Sequence, residues 1–171
     1  MKNALILLAG GNGKRLRSKE PKQFIKINNE NIIEYFLKNL NKSLFDIIII
    51  SVSLKDRNKY LKSIKIDFKQ HRIEFAKNGN TRQKSVKNSL EKLRINNPKN
   101  VLIHDSARPL ASNKIFKKII NNLKKNISAI PYIVNSDYQK STKALIIKKN
   151  EILNIQTPQG FNYKKIYRYH Q

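Results

Sequence analysis

Three glycines, Gly10, Gly11 and Gly13, fall within four positions directly after the apolar run Ala4–Leu8. The whole chain holds only 5 glycines in 171 residues, against roughly twelve at average usage, so the clustering is informative. Glycine lets a backbone turn sharply and bring its N–H groups against a ligand, and a strand that ends in such a loop is a natural phosphate cradle. This loop is not the dinucleotide fingerprint, because Leu16 stands where the third glycine belongs. Nor is it a P-loop, which needs a glycine at Leu8 and a serine or threonine at Arg15. It continues instead through Lys14, Arg15, Arg17 and Lys19 to Pro21-Lys22-Gln23. Backbone donors followed by dense cations suit a triphosphate whose leaving group carries a large negative charge. The plain alternative is a tight strand-to-helix turn trimmed with solvated lysines.

A second set of residues lies further along the chain. Asp105 follows the apolar run Val101–Ile103, and only 11 residues of the chain are acidic. A carboxylate at the end of a buried strand is well placed to hold Mg²⁺ on phosphate oxygens. The competing role is a helix cap or a partner for Arg108. Gly79 permits close backbone approach to a ligand, and Ser85 offers a hydroxyl at an expected helix start, where it could equally be an ordinary cap. His104 reads as packing rather than as a ligand, and no His/Asp/Glu cluster suggests a zinc site.

These residues need a scaffold that brings loops together. Ala4–Leu8 and the β-branched run Ile47–Val52 read as buried strands. Asn31–Leu40, Lys84–Leu93 and Ile115–Leu123 carry helical apolar stripes. Val101–Ile103 is a short strand opening onto His104 and Asp105, and Ile127–Val134 and Ala144–Ile147 read as strands flanking a polar loop. Strands separated by helices predict a parallel or mixed sheet with helices on both faces, a three-layer α/β/α fold. In such sheets the ligand sits beyond the carboxyl ends of the strands. One domain accounts for the length. The chain ends at Gln171 within what reads as the first turns of a helix, which suggests truncation.

Composition narrows the classes. No cysteine is present, so disulfides and cysteine-based metal sites are excluded. No apolar run approaches a membrane span, and the first residues lack a basic leader and cleavage site, so a cytoplasmic protein is expected. Lys and Arg number 36, giving a formal net charge of +25. Such a balance favours anionic partners: phosphorylated small molecules, nucleic acid or a membrane surface. The charge is spread along the chain rather than gathered in a basic tail, which reads mostly as solvated surface.

The stretch LAGGNGKRLRSKEPKQF resembles the signature of nucleotidyltransferases that activate sugars and alcohols, and its PKQ ending is similar to the cytidylyltransferase branch. Three more segments match in order: Gly79 to Val86 (GNTRQKSV), Leu102 to Pro109 (LIHDSARP) and Gln156 to Phe161 (QTPQGF). Together they resemble the 2-C-methyl-D-erythritol 4-phosphate cytidylyltransferase family over nearly the whole chain. The resemblance implies a Rossmann-like nucleotidyltransferase with a mostly parallel mixed sheet, which joins CMP from CTP to a small alcohol phosphate with Mg²⁺ and releases pyrophosphate. Arg15 and Lys22 then match the two transition-state cations. Ala9, Gly10, Gly11, Asn12 and Gly13 match the loop around the nucleotide, and Gly79, Asn80 and Ser85 match positions that hold cytosine and ribose. Asp105 matches the metal ligand, and Arg108, Lys149 and Thr157 fall in the alcohol-phosphate site. A homodimer is implied for the full-length protein, with no nucleic-acid or membrane partner.

The match departs from the family in places. Lys149 stands where an arginine is usual, which keeps the charge but loses the bidentate grip. Val134 and Asn135 replace an Asp-Thr pair. A further T-D segment and an N-x-K-x-T segment, which complete the acceptor site and the dimer in the family, lie beyond Gln171 if present. The QGF form resembles bifunctional relatives in which a cyclodiphosphate synthase domain follows. Rival readings are a ribitol 5-phosphate cytidylyltransferase, another sugar-phosphate nucleotidyltransferase and a basic nucleic-acid-binding domain. The last leaves the glycine loop unexplained and predicts salt-dependent binding to random DNA without a preference for CTP.

Overall fold

The computed structural model describes residues 2–11, 20–27, 29–61, 72–134, 139–140, 146–147 and 153–171. Its strands in chain order are β1 (Asn3–Leu8), β2 (Lys26–Ile27), β3 (Glu30–Asn31), β4 (Ile47–Val52), β5 (Arg72–Lys77) and β6 (Asn100–Asp105). They continue with β7 (Ser128–Ala129), β8 (Tyr132–Val134), β9 (Gln139–Lys140), β10 (Ile146–Ile147), β11 (Leu153–Ile155) and β12 (Gln159–Asn162). The helices are α1 (Ile32–Asn39), α2 (Leu54–Asp56), α3 (Arg82–Lys92), α4 (Asn113–Asn122) and α5 (Tyr163–Tyr169).

The main sheet runs β5-β4-β1-β6-β12-β7. Its first four strands are parallel, and β12 lies antiparallel to both neighbours. The central strands can be near-continuous runs of Ile and Leu because both faces are covered. Alternation along β1 sorts its side chains. Leu5 and Leu7 pack on one face with Phe36 and Leu37 of α1 and Phe116 and Ile119 of α4. Ala4 and Ile6 pack on the other with Val86 and Leu90 of α3 and Tyr163 of α5. This is the expected three-layer architecture. Asn31 caps α1 in a reciprocal pair with Glu34, which sets where the first helix begins.

Differences from the sequence expectation have local causes. The expected strand Ile127–Val134 is two, because Pro131 has no N–H to continue a ladder; β7 joins the main sheet and β8 pairs with β11 in a separate ribbon. Strand β6 runs on through His104 and Asp105, so both belong to the strand end rather than to the loop. Of the expected strand Ala144–Ile147, Ile146–Ile147 forms β10 and residues 144–145 lie outside the described set. Strands β5, β11 and β12 carry no continuous apolar run and were not expected. Helix α5 covers Tyr163–Tyr169, with His170 as its C-cap.

Candidate active site

The parallel strands β1, β4, β5 and β6 all end on the same edge, and their loops meet there. Ala9 N–H continues the ladder onto Ser51 O at 2.8 Å. Ser106 holds Leu8 O with both its N–H, at 3.1 Å, and its hydroxyl, at 2.7 Å. The loop after β5 touches the glycine loop so closely that a Cβ at Gly10 would lie 2.5 Å from Asn78 Cβ. Between these loops opens a cleft of about 950 Å³ lined by Gly10, Gly11, Lys22, Gly79, Asn80, Ser85, Asp105 and Arg108, among others. One cavity therefore gathers residues spread over a hundred positions of sequence. Ala9, next to Gly10 in the chain, is buried. Arg15, Asn12, Gly13 and Lys149 lie outside the described residues.

Ser85 differs from its expected setting. The cap of α3 is Thr81, whose side chain accepts from Lys84 N–H. Ser85 lies one turn inside the helix, where its hydroxyl accepts from Gly79 N–H at 2.9 Å and donates to Thr81 O at 3.0 Å. It fixes the loop that carries Gly79 and Asn80, leaving one lone pair toward the cleft.

Asp105 caps no helix among the described residues. Its two oxygens instead face two guanidiniums, Arg82 Nε at 3.5 Å and Arg108 Nε at 3.5 Å. These are loose, half-exposed pairs worth under about 1 kcal/mol each. Arg82, on the first turn of α3, was not singled out from sequence, where one arginine among many gave no signal. Among the described residues, Asp105 is the only carboxylate lining the cleft, and it is partly exposed at 33%. No cluster of three or more acidic, His or Cys side chains occurs among the described residues. A single reachable carboxylate beside Lys22, Arg82 and Arg108 fits Mg²⁺ that arrives on a polyphosphate, since this ion keeps several waters and takes one or two carboxylates plus phosphate oxygens.

His104 is fully buried, packed between Phe36 and Phe116 with ring centroids at 5.0 and 5.5 Å. Nε2 faces the Arg108 carbonyl at 3.0 Å, which only accepts, so Nε2 carries the hydrogen. Nδ1 is then the acceptor for the Thr157 hydroxyl at 3.0 Å. Burial is the main cause that lowers the His104 pKa to about 4; the Arg108 carbonyl and Asp105 oppose it. The histidine is structural, as expected, but it ties together Arg108 and Thr157. A contact from Arg108 Nη1 to Gln156 Oε1 joins the same two segments. On the far side of Arg108 a groove of about 490 Å³ is lined mainly by Pro109, Leu110, Ile115, Pro131 and Tyr132. Its apolar walls suit no phosphate, and Ala107 and Arg108 line both cavities.

The family model of 2-C-methyl-D-erythritol 4-phosphate cytidylyltransferase, IspD, matches residues 3–171. The chain belongs to this family. Among its relatives, the IspD of Clostridium beijerinckii is 36% identical over 97% of this chain and 75% of its own length. The bifunctional enzyme IspD/IspF of Pelagibacter ubique is 37% identical over 98% of this chain. The chain spans only 45% of that bifunctional relative. Solved structures agree on the fold. The synthase of Anaerococcus prevotii superposes with a TM-score of 0.82 at 27% identity, covering 99% of this chain and 73% of that one. The bifunctional IspDF of Campylobacter jejuni gives 0.83 at 28% identity, covering 100% of this chain and 43% of that one. The IspD fold thus supplies the frame on which the cleft is built.

Proposed function

We propose that the cleft binds CTP and that the protein transfers its CMP group to 2-C-methyl-D-erythritol 4-phosphate, releasing pyrophosphate, as a step toward isoprenoid precursors. The observation that carries this reading is the convergence of the glycine loop, the Gly79–Asn80 loop, Lys22 and Asp105 on one polar cleft. Backbone at Gly10 and Gly11 faces the triphosphate, and Gly79, Asn80 and Ser85 face cytosine and ribose. An acceptor phosphate oxygen attacks the α-phosphorus of CTP as the bond to pyrophosphate breaks. Charge grows on the leaving group, and a positioned cation there acts on the transition state more than on bound substrate. Lys22 and Arg15 take that role. Asp105 would hold Mg²⁺, which when bound would supply Lewis-acid charge to the phosphate oxygens. Arg108 and Thr157, joined through His104, orient the acceptor together with Lys149.

The exposed apolar ribbon of β8 and β11, with Tyr132, Ile133, Leu153 and Ile155, supports a homodimer. We place the protein in the cytoplasm without a nucleic-acid or membrane partner; no helix among the described residues is long and apolar enough to cross a membrane. Calorimetry with CTP, UTP and ATP in the presence of Mg²⁺ tests the base assignment. CTP is expected to bind tightest, and equal affinity for all three removes cytosine recognition from the account.

A further inference from the structure

Gln23 is only 4% exposed, although it follows a cleft lysine in a strongly polar stretch. Its Nε2 donates to Ala9 O at 2.6 Å and to Gly11 O at 3.1 Å. Both partners are carbonyls, which only accept, so the nitrogen of the amide is the atom that faces them, and its two hydrogens are both spent. The turn that carries Gln23 is itself anchored: Phe24 is buried and stacks on Tyr60 with ring centroids at 4.4 Å. The glycine loop is thereby pinned by a residue that lies beyond its far end and itself lines the cleft.

We propose that Gln23 is a positioning residue that sets the glycine loop to receive phosphate; the inference rests on the cleft being a triphosphate site. In a trans peptide the N–H points opposite to the C=O of the preceding residue. Fixing Ala9 O on Gln23 therefore turns the Gly10 N–H the other way. A glycine loop left to itself presents carbonyls as readily as amides, because it resists neither orientation. Carbonyl oxygens turned to a triphosphate repel it, and amides attract it. Gln23 withdraws two of those oxygens at once. Because Lys22 is the adjacent residue, the same brace fixes the distance from that cation to the loop.

Gln23→Met tests this, since it keeps the length and loses both donors. The assay is calorimetry with CTP plus Mg²⁺ and with CMP, alongside hydrogen exchange of the peptide covering Gly10 and Gly11 without nucleotide. The expected result is a CTP affinity lower by about tenfold or more, a CMP affinity much less changed, and faster exchange at Gly10 and Gly11. If Gln23 only fills space, the folded variant binds CTP as the wild type does and its loop exchanges at the wild-type rate; either finding overturns the proposal. Should the methionine variant not fold, Gln23→Asn retains an amide but draws it back by one methylene, and is expected to show the same split between CTP and CMP. An unchanged CTP affinity in that variant also overturns the brace. Absence of CTP binding in the wild type refutes the site reading instead, and the exchange comparison still decides whether Gln23 holds the loop.

Discussion

His104 offers a stability test whose size follows from its surroundings. In the unfolded chain its imidazole titrates at the ordinary value of 6.5, and burial lowers this to about 4 in the fold. A depressed histidine pKa means that the native state prefers the neutral ring. The stabilisation is complete above about 6.5, is lost as pH falls through the window from 6.5 to 4, and is absent below it. Between about pH 8 and about pH 5 the two titration curves differ by about 2 kcal/mol of lost stability from this single group. Protonating Nδ1 also removes the acceptor for the Thr157 hydroxyl, so the hydroxyl must turn away. The assay is urea unfolding of wild type and His104→Gln at both pH values. Glutamine does not titrate, so the variant is expected to be less stable at high pH and to lose about 2 kcal/mol less on acidification. Equal pH dependence in the two proteins refutes the reasoning, as does an imidazole in the folded protein that titrates near 6.5 by NMR.

Three other outcomes are expected. Lys22→Ala should lower turnover by about a hundredfold while CTP affinity changes little, because its charge acts on the leaving group in the transition state; pyrophosphate release against calorimetric affinity separates the two. Asp105→Asn should raise the Mg²⁺ concentration for half-maximal activity in a normally folded protein, whereas an unchanged Mg²⁺ dependence would leave Asp105 as only the partner of Arg82 and Arg108. Gly160→Ala should destabilise by about 1–3 kcal/mol, read from the urea midpoint, because the added Cβ would meet Ile119 Cγ2 at 2.3 Å and Leu123 Cδ1 at 3.0 Å.

Much of the site was legible in the sequence because its parts are local in character. A glycine cluster after a buried strand needs no tertiary information to be recognised, and the runs Ile47–Val52 and Val101–Ile103 announce strands covered on both faces. What the sequence hid were long-range pairings. Arg82 and Asp105 are 23 residues apart, and only the sheet order brings the start of α3 beside the end of β6. The link from His104 to Thr157 spans 53 residues and depends on β12 returning antiparallel against β6. Gln23 looked like part of a motif rather than a brace, because nothing in its neighbours shows that its amide is buried against Ala9 and Gly11. Strand β5 escaped detection for a different reason. It is an edge strand whose side chains are half-buried and mixed, so its Arg-Ile-Glu-Phe-Ala-Lys pattern gives little apolar signal.

The central claim is that the cleft performs cytidylyl transfer to a methylerythritol phosphate. The most direct measurement follows the reaction by ³¹P NMR with CTP, Mg²⁺ and either 2-C-methyl-D-erythritol 4-phosphate or ribitol 5-phosphate. The account predicts pyrophosphate and a CDP-linked methylerythritol in equal amounts, with little turnover of the ribitol compound. Pyrophosphate released with ribitol 5-phosphate and not with the methylerythritol compound would contradict it.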